Sequence, residues 1–369
     1  MPYGLIATDS ITDSSGGVLA PSSSVFRNRI LNGAMQIDQR NAGASVTATV
    51  TSARTYLLDR WGYFSTQASK FTAQQNAASV TPPAGFTNYL GITSSSAYSP
   101  ISSDIILLQQ PIEGFNVADL AWGTASAATV TLSFWVRSSL TGTFAGSLGN
   151  SANNRLYPFT FTINSANTWE KETITIVGDT SGTWVTNNGV GLYLNFNLGT
   201  GSTYLGTAGS WSGSAYYSAT GGTNVVGTNG ATFYITGVQL EKGTTATSFD
   251  YRPYGTELSL CQRYYYKTFP QGTVPAQNTG SIAGALLIST SATSTFGGSI
   301  SLPVTMRSAP STVTTYNPSA ANASWRDTNN SADRTVGSAS GGDSSLYVTG
   351  LSGIVNGLNL IHVTATAEL

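Results

Sequence analysis

Val130, Leu132, Phe134 and Val136 alternate with Thr131, Ser133 and Arg137, and the same two-residue period recurs through Val190, Leu192, Leu194, Phe196 and Leu198. A period of two puts every apolar side chain on one face of a strand and every polar one on the other, so each run is a half-buried β-strand. Phe233 and Ile235 hold one phase of the alternation while Val238 and Leu240 hold the other. One extra residue near Gly237 therefore makes a bulge that re-aims the strand. Strands of this kind, separated by Gly-rich and Asn-Gly turns with no long helical pattern, describe an all-β fold, a jelly-roll β-sandwich.

A chain of 369 residues exceeds the length at which one core stops growing, so two domains are expected. Residues 1–26, with Ser14-Ser15-Gly16-Gly17 and Ala20-Pro21-Ser22-Ser23-Ser24, are polar and lack a core-forming period. They read as an N-terminal arm that is disordered on its own. The alternating signal occupies residues 27–254, the jelly roll. Leu258, Leu260, Cys261, Tyr264 and Tyr265 then fall at three- and four-residue spacings after a cap at Thr256, which predicts a short helix in a linker over 255–267. Beyond it, Ser281 to Ser289, Gly298 to Thr305, Thr312 to Tyr316 and Asn359 to Ala367 read as strands, so residues 268–369 form a smaller C-terminal β-sandwich, a tip domain. Met1 to Ser10 has no basic stretch followed by an apolar one, and no segment approaches the ~18 apolar residues of a membrane span. A soluble chain without a secretion signal or membrane insertion is expected.

Composition narrows the chemistry. One histidine, one cysteine and 9% charged residues leave little material for acid, base or nucleophile, so no enzyme activity and no cofactor are expected. Cys261 alone makes neither an internal disulfide nor a thiolate metal site. Sixteen basic residues, scattered along a chain of net charge -1, give no footprint for nucleic acid. What remains is Gly, Ser, Thr, Ala and Asn carrying 18 Tyr, 14 Phe and 7 Trp, a surface of hydrogen bonds and ring faces.

Asn28-Arg29-Ile30-Leu31-Asn32-Gly33-Ala34-Met35-Gln36-Ile37-Asp38-Gln39-Arg40-Asn41, followed by Leu58-Asp59-Arg60-Trp61, resembles the opening of a domain that recurs in bacteriophage tail-fibre and other virion surface proteins. The segments Thr131 to Arg137, Thr168 to Ile176 and Phe233 to Tyr254 resemble later strands of the same domain, which is similar to jelly-roll carbohydrate-binding modules. Leu260 to Tyr265, Leu302 to Pro310 and Thr364 to Leu369 resemble the terminal tip domain of such fibres. The resemblance implies a homotrimer assembled in the host cytoplasm, attached to other virion proteins through residues 1–26 and meeting a host cell-surface polysaccharide with its β domains. A head or tail decoration or adaptor subunit is the alternative, and a polysaccharide-degrading tailspike a second.

Sugars bind by laying an apolar ring face on an exposed aromatic while neutral polar groups read the hydroxyls. Aromatics in polar loops are therefore the glycan-binding candidates: Trp211, Tyr216 and Tyr217 in a Gly-Ser-rich stretch, and foremost Trp325 with Arg326 and Asp327 in the tip domain. Packing beneath the loops or between subunits is the competing reading. Trp61, Phe134, Trp169 and Trp184 read as core, whereas Trp135 lies on the polar face of its strand and must be exposed, covered by a loop or at a subunit contact. The pairs Asp38 with Arg40, Asp59 with Arg60, Glu241 with Lys242 and Asp250 with Arg252 read as ion pairs at strand ends or at the domain junction. A glycosidase would need two such carboxyls about 5 to 9.5 Å apart. His362 reads as structural and Cys261 as a small buried hydrophobe, and no metal site is assigned.

Overall fold

The computed structural model describes residues 27–290, 295–350 and 356–369, together with the backbone of two short paired strands, β1 (Ile11–Thr12) and β2 (Val18–Leu19). The arm expected over residues 1–26 otherwise lies outside the described residues. In chain order there follow β3 (Val46–Thr47), β4 (Thr55–Leu58), β5 (Trp61–Ser65), β6 (Phe71–Gln75), β7 (Leu90–Ser94), β8 (Ile106–Glu113), β9 (Val130–Ser138), β10 (Gly142–Gly149), β11 (Leu156–Ile163), β12 (Glu170–Ile176), β13 (Val190–Asn197), β14 (Leu205–Gly206), β15 (Ser218–Ala219) and β16 (Thr232–Lys242). Helix α1 (Tyr254–Gln262) leads to β17 (Tyr265–Lys267), β18 (Leu286–Thr290), β19 (Gly297–Ser301), β20 (Thr312–Tyr316), β21 (Trp325–Asp327), β22 (Ala332–Arg334), β23 (Val336–Gly341), β24 (Ser345–Gly350) and β25 (Gly357–Thr366).

Two six-stranded antiparallel sheets, in the orders β11-β10-β13-β8-β5-β4 and β12-β9-β16-β7-β6-β3, form the jelly-roll sandwich. Strand alternation dictates their inner faces. Leu132, Phe134 and Val136 of β9 and Leu192, Leu194 and Phe196 of β13 are all fully buried, and Phe196 sits among Phe134, Phe159, Phe161, Phe233 and Trp61 with ring centroids 5.1 to 6.5 Å away. Such tilted and edge-on contacts suit the ring quadrupole. The bulge in β16 occurs where the phase changes, between Thr236 and Gln239, and Gly237 adopts φ 60° there. A Cβ at Gly237 would lie 2.6 Å from the Phe86 ring and 3.1 Å from that of Trp135. Trp135 is thus half-buried beside Phe86 on the outer face of its sheet. Trp61 and Phe134 are core residues, but Trp169 is only half-buried, set edge-on to Tyr89 with its Nε1 donating to Thr81 O.

Helix α1 starts earlier than the sequence pattern places it. Pro253 is its N-cap and Thr256 lies inside the first turn, because the Glu257 amide closes on the Pro253 carbonyl while the fixed φ of Pro253 sets the entry. Tyr265–Lys267, expected within the helix, is a strand paired with β25. Its partner β25 also pairs with β18, β20 and β21, and a three-stranded sheet β19-β24-β23 completes the smaller body. Phe296, Met306, Trp325, Leu346, Val348, Ile361 and Val363 make its core. His362 is buried on the opposite face of β25 from Ile361 and Val363, stacked on Phe269 at 3.9 Å, with Nδ1 2.9 Å from Thr268 Oγ1 and Nε2 3.0 Å from Ser281 O. Both ring nitrogens are engaged within the fold. Burial pushes the Cys261 thiol well up, which keeps it an unreactive core side chain.

Of the four neighbouring pairs expected from the sequence, Asp250 with Arg252 is an ion pair at 4.0 Å, while Arg40 and Arg60 take a distant partner where the two bodies meet. Glu368 receives Arg40 Nη2 at 2.7 Å and Arg60 Nη1, and Arg60 Nη2 donates to Pro111 O. The Arg60 guanidinium lies 3.6 Å over the Tyr264 ring and that of Arg40 3.8 Å over Tyr265. Arg263 forks onto Glu113 at 2.6 and 2.9 Å, and the Tyr264 hydroxyl donates to the same carboxylate. Asp59 accepts from Gln39 N and Nε2, and that amide also reaches Tyr265 O at 3.0 Å.

Burial pushes the Asp59 carboxyl from 3.8 to about 6, against the pull of Arg40 and the Gln39 hydrogen bonds. A carboxyl raised on folding contributes stability that is complete below its unfolded value and is lost as the pH climbs through the folded one. His362 acts oppositely: desolvation lowers it, so its contribution is present above 6.5 and is lost as the pH falls through its folded value. Subtracting a variant separates the two. The melting temperature of the wild type minus that of Asp59→Asn is expected to grow as the pH falls from about 7 to about 5, and a difference that stays flat over that window contradicts the assignment.

Candidate functional site

The alternation that buries Leu192, Leu194 and Phe196 must turn Tyr193, Asn195 and Asn197 outward, and likewise Leu107 and Gln109 of β8 and Phe64 of β5. Much of this outer face is roofed. The segment between β13 and β16 crosses it, with Ser218 and Ala219 of β15 fully buried and Ser147 Oγ donating to Tyr217 O at 3.1 Å. A hydrogen-bond chain runs beneath, from Gln109 Nε2 to Asn195 Oδ1 at 2.5 Å and from Asn195 Nδ2 to Ser147 Oγ at 3.0 Å.

Over β13, β8 and β5 the face stays open as a cleft of about 300 Å³. Tyr193, Tyr217 and Phe64 give it ring surface, Leu107 and Ile105 a floor, and Arg54, Gln109 and Asn153 polar groups. Arg54 is held in place: Nε and Nη2 donate to Gln109 Oε1 at 2.8 and 2.5 Å, Nη1 donates to Leu369 O at 2.8 Å, and the guanidinium sits 5.0 Å from the Tyr193 ring centre. Its stem packs over Gly62, where a Cβ would fall 2.7 Å from Arg54 Cγ. Burial, with Tyr204 and Tyr193 nearby, pushes the Tyr217 phenol up, so it is a neutral donor at any physiological pH. None of the described residues lining the cleft is an Asp or Glu. Neutral donors, amide acceptors and half-buried ring faces are the groups that read hydroxyls and cover the CH face of a sugar.

Of the residues singled out in the sequence, Tyr217 alone lines this cleft. Trp325 does not present a ring to solvent: it is 0% exposed, edge-on to Phe296 at 5.4 Å, with Nε1 donating to Thr349 O. Its ring turns into the apolar core of the smaller body, while the polar neighbours that made its loop look open hydrogen-bond among themselves. Asp327 is equally buried and holds a turn by accepting from Asn330, Arg334 and Leu358, while Arg326 pairs with Asp333 at 3.2 Å. Trp211 is locked against Trp122, Trp184 and Tyr157 at 5.3 to 5.4 Å, and Tyr216 packs on Gly206. Trp184, read as core, is half-buried in that same cluster.

Sequence reasoning passed over Tyr193, Phe64, Arg54, Gln109 and Asn153. For Tyr193, Phe64 and Gln109 the signal was the phase of the alternation, since Tyr193 lies between two core leucines just as Trp135 lies between Phe134 and Val136, whereas Arg54 and Asn153 lie outside the strands and carried none. The carboxylates considered for catalysis do not reach the cleft: Asp59 is buried at the junction, Asp38 accepts from Asn41 N and Gly43 N, Glu241 accepts from Gln239 and Thr247, and Asp250 accepts from Asn28 N. A second hollow of about 280 Å³ lies among Arg29, Phe115, Arg252 and Leu260, but its guanidiniums are spent on Asp119, Glu257 and main-chain carbonyls that seam the sandwich to α1.

No protein family matches the chain, and no curated protein does. Solved structures that match part of the chain include the enzymatically active domain of tailspike protein 4 of bacteriophage CBA120, 12% identical with a TM-score of 0.31 over 60% of this chain and 22% of that one. The N-terminal cellulose-binding domain of β-1,4-glucanase C from Cellulomonas fimi is 13% identical, TM-score 0.23, over 44% of this chain and 82% of that one. A family 11 carbohydrate-binding module from Clostridium thermocellum, solved with a mixed-linked tetrasaccharide, is 8% identical, TM-score 0.26, over 55% of this chain and 97% of that one.

Proposed function

We propose that this chain is a non-enzymatic adhesion protein of the virion surface that binds a cell-surface glycan in the cleft between Tyr193 and Tyr217. The cleft itself carries the reading: it joins tyrosine faces to amide groups and a fixed guanidinium, and its described lining lacks the carboxyl pair that glycoside hydrolysis uses. The phage tail-fibre role, the trimer and attachment through residues 1–26 rest on the sequence blocks that resemble such fibres.

A glycan array probed with the full chain tests the binding. Tyr193→Ala and Tyr217→Ala are each expected to weaken retained glycans about tenfold, the worth of one stacked ring, while leaving the melting temperature within a few degrees. Because no tryptophan is among the described lining residues, ligand is expected to perturb tyrosine absorbance and leave tryptophan emission unmoved. Normal adsorption of virions by a chain that retains no glycan, or retention indifferent to both substitutions, refutes the reading. Removal of residues 1–26 is expected to abolish incorporation into particles without unfolding the protein.

A further inference from the structure

Part of the cleft does not come from the jelly roll. Leu369, which follows β25 of the smaller body, is one of its lining residues, and the Leu369 main-chain oxygen accepts from Arg54 Nη1 at 2.8 Å and from the Tyr56 hydroxyl at 3.2 Å. The other edge of the Arg54 guanidinium, Nε and Nη2, forks onto Gln109 Oε1. A planar group held along one edge alone swings about the oxygen that holds it, and an acceptor on the opposite edge fixes its plane. One of these two acceptors belongs to the sandwich and the other to the smaller body.

The segment that carries Leu369 is itself clamped. Ala367 N donates to Tyr264 O at 2.8 Å, and Arg307, on the loop between β19 and β20, gives Nε to Ala367 O at 2.9 Å and Nη2 to Glu368 O at 3.0 Å. Arg307 Nη1 crosses to the sandwich and donates to Asn188 O at 2.8 Å, while Asn188 Nδ2 returns a bond to Arg307 O at 3.1 Å. All three nitrogens of this guanidinium are spent on main-chain oxygens, and Arg307 is not among the described residues lining the cleft. Ordering a long side chain at the moment of binding subtracts from affinity, so a guanidinium set beforehand binds a sugar more tightly than a loose one.

Resting on the glycan-binding reading above, we infer that the cleft is a joint site of the two bodies: residues 367–369 of the smaller body set the Arg54 guanidinium for the sugar, and Arg307, which clamps that segment from outside the cleft, is a positioning residue for binding.

Calorimetric titration of the full chain with hexasaccharides of glucose, galactose, mannose and N-acetylglucosamine tests this. For any series that binds, Arg307→Ala is expected to weaken affinity about two- to tenfold, the effect of having to order one long side chain on binding. In an Arg54→Ala background the same substitution is expected to cost nothing further, because the group it positions is gone. A loss carried equally by both backgrounds is a general loosening of the fold and overturns the inference. In the unaltered protein, saturating sugar is expected to slow amide exchange over residues 366–369 by a similar factor, since a seated segment that favours binding is favoured by it to the same degree. Unchanged exchange there overturns the coupling without recourse to a variant. Unaltered affinity in Arg307→Ala, with Tyr193→Ala still weakening binding, overturns the positioning role and leaves glycan binding standing, whereas failure of every series to bind overturns both readings.

Discussion

Glu368→Ala is expected to destabilise the protein by about 3–5 kcal/mol, because it strips the partner from a guanidinium that has no water to fall back on. Arg60 is 1% exposed and Arg40 16%, and both point at this one carboxylate. Their other contacts, the Tyr264 and Tyr265 rings and Pro111 O, complement a cation without neutralising it. A surface ion pair of the same composition would be worth less than about 1 kcal/mol, so the magnitude reports burial. The decisive comparison is a double-mutant cycle. Arg60→Met with Glu368→Leu removes the more deeply buried guanidinium together with its partner and is expected to recover part of the loss, the remainder reporting Arg40 left without its carboxylate. Denaturant unfolding of the four proteins measures it, and additive single and double effects contradict the coupling.

Trp325→Ala is expected to cost about 3–5 kcal/mol as well, by a different route: it empties the centre of the smaller core. The ring touches Phe296, and Gly350 lies close enough that a Cβ there would sit 2.2 Å from the Phe296 ring, so the surroundings have little slack with which to close the hole. The Thr349 carbonyl also loses its indole donor. Calorimetric melting shows the effect, and a Trp325→Ala protein as stable as wild type refutes it. Saccharide affinity of the folded fraction is expected to stay unchanged, which separates this tryptophan from Tyr217.

The jelly roll was legible because its strands are amphipathic: β9 and β13 follow strict period-two patterns, and the phase change in β16 located the bulge at Gly237. The site was only half legible. Periodicity tells which side chains leave the core, but not which outer face a distant segment will roof, so Tyr193 and Gln109 could not be told from ordinary outward residues. Local composition misled at Trp325, whose Asn- and Ser-rich neighbours look solvent-facing and hydrogen-bond among themselves, while the ring itself turns into the apolar core. Of the charge pairs, Asp250 with Arg252 forms, but Asp59 with Arg60 does not, for a related reason. Arg60 passes over adjacent Asp59 for Glu368, a partner 308 residues away that no neighbour rule selects.

Strand β25 bonds to β17, β18, β20 and β21, all of which precede it in the chain. During synthesis those four segments leave the ribosome before their common partner exists, with open hydrogen-bonding edges and half of a core between them. The jelly roll can close earlier, whereas the smaller body and the Glu368 latch wait until β25 and Glu368 have been translated. A ribosome stalled shortly before residue 357 would therefore display a finished sandwich trailing a sticky, unpaired tail, the stage at which chains of different copies meet most easily.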